Sequence, residues 1–192
     1  LACRRAVAAR GLPVRDSSLT SIQTRPETTT VSLKLADYTF SSKGAAPISV
    51  GLSSYKALDG SNRSVTLRSK SGQLIEYRLF LPGDTIDLGQ VAFQVDTSRP
   101  NSLTYQASTN GAVIAIRYTF VPDSYLVRVS GEVHHPNADN GFIALEMPTS
   151  LRSAEADSLD DQQHLAYAVK PQREDARGVP FSKLDPGERR LE

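Results

Sequence analysis

The stretch Gly111 to Val133, GAVIAIRYTFVPDSYLVRVSGEV, holds two long alternating segments separated by a Pro-Asp pair. Successive strand side chains point to opposite sides of a sheet, so Ile114, Ile116, Tyr118 and Phe120 line one face while Arg117 and Thr119 take the other. Val121-Pro122-Asp123-Ser124 supplies a turn, because proline at the second position presets the backbone angle. The alternation restarts with Tyr125, Val127, Val129 and Val133, leaving Leu126, Arg128, Ser130 and Glu132 to face outward. Two strands of about ten residues, each with a polar face, predict an antiparallel β-sandwich or barrel, since strands of a parallel sheet are apolar on both faces.

The same signals recur on both sides of this hairpin. Residues 1–30 begin with the basic, Ala-rich LACRRAVAAR and continue through Gly11, Pro13, Pro26 and many Ser and Thr; this composition reads as a flexible linker. Order is expected from Val31, with Val31, Leu33 and Leu35 alternating against Ser32, Lys34 and Ala36. The phase then slips so that Tyr38 and Phe40 follow, which suggests a bulge near Ala36-Asp37. Gly44 ends this strand, and a partner runs through Ile48, Val50 and Leu52 to Tyr55. Asp59-Gly60 and Ser71-Gly72 bracket a short strand at Val65 to Arg68, and Leu74 to Leu81 forms another, closed by Pro82-Gly83. Further strands are predicted at Val91 to Val95, Leu103 to Ala107, Phe142 to Met147 and Leu165 to Val169. The one helix predicted is Ser153 to Gln163, capped by Ser153 and acidic in its first turn. Beyond Lys170 the chain turns polar, with one short apolar contact at Val179 to Leu184. Many short strands with little helical periodicity define an all-β, mainly antiparallel fold over residues 31–192.

Composition sets outer bounds. A 192-residue chain with 39% hydrophobic and 22% charged residues is long enough for one domain with a real core. Its net charge of +1 supplies no field for nucleic acid, which requires a clustered basic face. With one cysteine there is no internal disulfide. No run reaches the ~18 to 20 apolar residues of a membrane-spanning helix. The chain starts at Leu1 rather than Met and has no intact signal peptide, so it is expected to be part of a longer protein.

No residue is assigned a catalytic, cofactor-binding or metal-ligating role, and binding residues are left unassigned. His134 and His135 invite an acid-base reading for a sugar-directed enzyme. Adjacent strand residues point apart, however, and the pair precedes Pro136-Asn137 at a strand end, so an exposed pair is preferred. His164 has Asp160 and Asp161 four and three residues before it, on one helix face, yet no fourth ligand is evident; with Glu155 and Asp157 they read as a solvated acidic face. Leu1-Ala2-Cys3 has the form of a lipoprotein signal's end without its apolar stretch, so Cys3 is read as a linker residue. Asn62-Arg63-Ser64 matches a glycosylation sequon and is read as a turn. Arg189-Arg190 would suit lipid headgroups if a membrane segment follows. Phosphate loops, nucleophile elbows and paired catalytic carboxylates do not appear in the sequence.

Three segments resemble one family. The strand pair LADYTFSSKGAAPISVGLSSYKAL (Leu35 to Leu58), the segment IRYTFVPDSYLVRVSGEV (Ile116 to Val133) and the tail FSKLDPGERRLE (Phe181 to Glu192) are similar, in order and spacing, to the large first periplasmic domain of YidC-type membrane protein insertases of Gram-negative bacteria. The resemblance implies a β-supersandwich similar in outline to the galactose mutarotase fold, on the periplasmic face of the inner membrane between flanking helices absent from this chain. It also implies a non-enzymatic role in membrane protein insertion, with Sec translocon subunits (SecDF, SecYEG) and nascent membrane proteins as partners and no cofactor. The family's insertion groove lies in its membrane part, so this segment alone is expected to insert nothing. A groove or open strand edge is its expected means of holding extended polypeptide. The alternative from another class, a carbohydrate-binding or mutarotase-like domain, needs a converging aromatic and carboxylate cluster, and the chain has no Trp to stack on sugar.

Overall fold

The computed structural model describes residues 26–58, 60–136, 141–148, 151–153, 158–180 and 183. They form antiparallel sheets. β1 (Thr28–Ser32), β2 (Ala36–Ser41), β3 (Ala46–Lys56) and β4 (Ser64–Leu67) make the first, in chain order. The second is ordered β10-β9-β8-β7, from β7 (Gln94–Asp96), β8 (Ser102–Thr109), β9 (Ala112–Phe120) and β10 (Val127–His134). A three-stranded sheet places β5 (Glu76–Leu81) between β6 (Asp84–Asp87) and β11 (Phe142–Glu146), and β12 (Ala166–Val169) pairs with β13 (Arg177–Pro180). The one α-helix among the described residues is α1 (Ser158–His164).

The predicted hairpin is present, with Val127 opposite Phe120, Val129 opposite Tyr118 and Val133 opposite Ile114, although Val129, expected inward, is 38% exposed. The even positions of β9, from Ala112 to Phe120, are all buried. Its other flank turns on Asn110-Gly111, both at positive φ (47° and 78°) between Thr109 and Ala112, the two-residue reversal whose twist matches that of the strands. Against β9 packs β2, burying Ala36, Tyr38 and Phe40. Phe40 lies 4.7 Å from the Tyr118 ring and 5.9 Å from Phe120, while Tyr38 lies 5.2 Å from Phe120. Tyr77 and Leu79 of β5 close the core from the third sheet.

Several sequence expectations shift. The phase slip between Leu35 and Tyr38 is a chain reversal: β1 ends at Ser32, Leu33 N–H donates to the Ala36 carbonyl (3.0 Å), and β2 returns along β1. The bulge sits later, between Thr39 and Phe40, opposite β3. This turn has no glycine or proline, so it mimicked an irregular strand. The loop after β9 is wider than the four-residue turn expected. Val121 N–H donates to the Leu126 carbonyl, Asp123 takes φ +56°, and Tyr125 is 42% exposed rather than inward; its carbonyl instead accepts the Tyr38 hydroxyl at 3.2 Å. Val91 caps a short 3-10 turn (Leu88–Gln90), so β7 starts at Gln94. β6 and β13 were missed, because DTID and RGVP are too short and polar to alternate visibly. The helix predicted from Ser153 begins at Ser158, residues 154–157 lying outside the described residues.

A buried hydroxyl relay ties the three sheets together. Tyr118 donates to the Ala45 carbonyl (2.7 Å), so Tyr77 must donate to the Tyr118 oxygen (2.6 Å), each hydroxyl having one proton. Tyr118→Phe strands both neighbours and is expected to cost about 1–3 kcal/mol, or about 2–4 °C of Tm per kcal/mol at this size. Tyr77→Phe removes the terminal donor alone and costs less. Thermal melts of both check this, and equal or reversed losses would refute the direction of the relay.

Burial pushes the pKa values of Tyr77 and Tyr105 up to about 12, and that of Tyr118 further still. A raised folded pKa means the fold binds the proton more tightly than the unfolded chain does. The associated stability is intact below the unfolded tyrosine value of about 10 and is lost as pH rises through about 12. Urea midpoints are therefore expected to hold between pH 7 and 9 and to fall steeply above pH 10.

Candidate functional site

The first and second sheets meet at a backbone corner. After β2, Ser42 to Gly44 runs beside Val91 to Phe93: Gly44 N–H donates to Val91 O and Phe93 N–H to Ser42 O, both at 2.8 Å, and Lys43 bridges Ala92. Gly44 is required here. Its φ is +80°, and a Cβ would stand 2.8 Å from Gln73 Nε2 and 3.1 Å from the Gly89 Cα. Ser42, 2% exposed, fastens the start of β1 to the same corner through its backbone N–H on Glu27 O and its hydroxyl accepting from Glu27 N–H (2.8 and 2.7 Å).

From that corner two edge strands depart. β2 runs toward the corner, so its antiparallel neighbour β1 runs away from it, and β7, starting one residue after Phe93, also runs away. Among the described residues β1 pairs with β2 alone and β7 with β8 alone. Between them lies a cleft of about 700 Å³ lined by Glu27, Thr28, Thr29, Thr30, Gln94, Val95 and Thr97. One carboxylate apart, the lining is neutral, mostly hydroxyl and amide.

Tyr105 lies beneath the cleft. It is opposite Val95 in the sheet and fully buried (0% exposed), and its ring packs between Phe40 and Tyr118, each 6.2 Å away. Among the described residues its hydroxyl has no hydrogen-bond partner of strict geometry. The pKa is raised chiefly by burial, lowered by the Thr29 side chain and raised by the Glu27 carboxylate, which places the hydroxyl beside two cleft residues. The Thr29 side chain lies near enough to lower the pKa as a hydrogen-bond partner would, although the pair does not meet strict hydrogen-bond geometry. Buried polar groups are nearly always satisfied, so an orphan here marks an unusual position.

The residues singled out from sequence are not gathered into one site. His134 ends β10 opposite Val113 and is exposed; His135 follows, half-buried, with Nε2 3.5 Å from where a Gly111 Cβ would stand. They part as adjacent residues should. His164 Nδ1 lies 2.8 Å from the Asp160 carbonyl and 3.7 Å from its carboxylate, both side chains exposed, a local one-turn contact. Among the described residues no three His, Cys, Asp or Glu side chains are placed to hold a metal. Arg63 bonds Ser61 across a turn (3.0 Å), and Asn62 takes φ +54°. Cys3, Glu155, Asp157, Arg189 and Arg190 lie outside the described residues, as does the Asp161 side chain. Sequence reading missed Glu27 to Thr30 by assigning them to the linker, although three successive β-branched threonines signal a strand.

Comparison with curated proteins returned no match, and neither did comparison with solved structures. A family model described as the YidC periplasmic domain matches residues 28–184, more than half of the chain. The match opens on the first residue of β1 and spans every strand, including the β2–β3 and β9–β10 pairs that carried the resemblance in sequence. No helix among the described residues is long and apolar enough to cross a membrane. This chain therefore belongs to the family of YidC periplasmic domains, the β-sheet domain of a membrane protein insertase.

Proposed function

We propose that this domain works beside the Sec translocon as a non-enzymatic contact surface, touching translocon subunits and emerging segments of membrane proteins while the membrane-embedded part of its parent protein performs insertion. The observation that carries this reading is the family match over residues 28–184. The structure adds support of a general kind: all four sheets of the described residues end in edge strands, and backbone pairing at an edge gives affinity without demanding a particular sequence. The separated histidines lend no support to sugar chemistry.

A photo-crosslinking residue placed at Thr30 on β1 or at Val129 on β10, in the full-length insertase in native membranes, is expected to yield adducts with translocon subunits or nascent chains. Adducts formed from the membrane part alone, with none from either strand, would remove the proposal.

A further inference from the structure

Resting on that reading, we infer that the cleft between β1 and β7 is a slot for an added strand, taken by an extended, neutral to cationic segment of a client polypeptide that lies antiparallel to both edges. Each flank is an edge strand, so the backbone groups along both sides of the cleft have no strand partner among the described residues. The two strands leave one corner in the same chain direction, so a single inserted strand has the same orientation relative to both. Antiparallel pairing is the more stable choice. The volume of about 700 Å³ falls within the ~300–1,000 Å³ of ordinary ligand clefts.

The lining chemistry selects the occupant. Threonine hydroxyls and a glutamine amide suit a main chain with small or polar side chains, and Glu27, the charged residue of the lining, favours a cation at the corner end. A second copy of this chain fits poorly, because its edge strand brings a whole sheet toward a cleft closed at one end by the Ser42–Phe93 corner. The β10 edge offers less: a Cβ on Gly131 would come within 3.1 Å of Ile143, so β11 already crowds it.

The test uses the 192-residue chain and an acetylated nonapeptide of alternating threonine and valine, with lysine at its C-terminal end. Antiparallel insertion brings that lysine to Glu27, so this peptide should bind a few-fold more tightly than one with lysine at the N-terminal end. Successive backbone N–H groups of a strand point to opposite edges. Methylating either the odd or the even amide nitrogens should therefore weaken binding at least about tenfold, because each series faces one wall. Amides of Thr28–Ser32 and Gln94–Asp96 should gain protection from hydrogen exchange. Sensitivity to one methylation series alone, protection at Val127–His134 instead, slow exchange of the cleft amides without peptide, or no binding at millimolar peptide would each overturn the inference. None of these outcomes touches crosslinking from Val129, which lies on β10 outside the cleft, so a failed slot and a failed insertase reading remain distinguishable.

Discussion

The Tyr118 side chain is the point through which three sheets communicate. Its ring packs on Phe40 of the first sheet, its hydroxyl accepts from Tyr77 of the third, and its proton goes to Ala45 at the corner. Ala45 is held at φ +51°, an uncommon conformation for a residue with a Cβ, and the hydrogen bond from Tyr118 fixes its carbonyl there. Removing such a group costs more than one hydrogen bond, because both partners would remain buried and unsatisfied. The corner thus depends on the core, and the cleft depends on the corner.

That dependence explains how a rigid body carries an open seam. Ala112, Ile114, Ile116, Tyr118 and Phe120 are buried along the whole of β9, and β8 supplies Leu103 and Tyr105 beside them. Burying large aromatic and aliphatic side chains contributes about 1.5–3 kcal/mol each, so the central strands secure the fold without help from the edges. β1 and β7 can then leave one side of their backbones unpaired. They stay in place because Glu27 and Phe93, the residues that begin each departure, are hydrogen-bonded to the same Ser42.

β9 and the aromatic face of β2 were legible because their residues alternate against a single buried layer and the hairpin turns contain Pro-Asp or Gly; β10 keeps that alternation only at Val127 and Val133. The β1–β2 reversal was not: Leu33, Lys34 and Leu35 form a turn with none of the residues that usually punctuate one, and only the partner strand shows that the chain doubles back. β6 and β13 escaped for a different reason. Strands of four residues with exposed or half-buried side chains owe their existence to the neighbour they pair with, which no local pattern records. The cleft was hidden for both reasons, since its walls are polar and come from segments 66 residues apart, from Thr28 to Gln94.

Open edges invite unwanted pairing, and most of those here are blunted. β7 has three residues, β4 and β6 have four, β13 ends on Pro180, and β10 carries Arg128 and Glu132. Short length, proline and charge are the usual means of discouraging association between sheets. β1, with five residues, carries no charge within its span and no proline, so by that logic it is an edge open to pairing. Its protection is geometric instead: the cleft closes at the Ser42–Phe93 corner, which admits a lone extended chain more readily than the edge of a folded sheet. A domain that must meet unfolded segments without associating with copies of itself needs that kind of discrimination, and here it follows from where two strands are tied rather than from any special side chain.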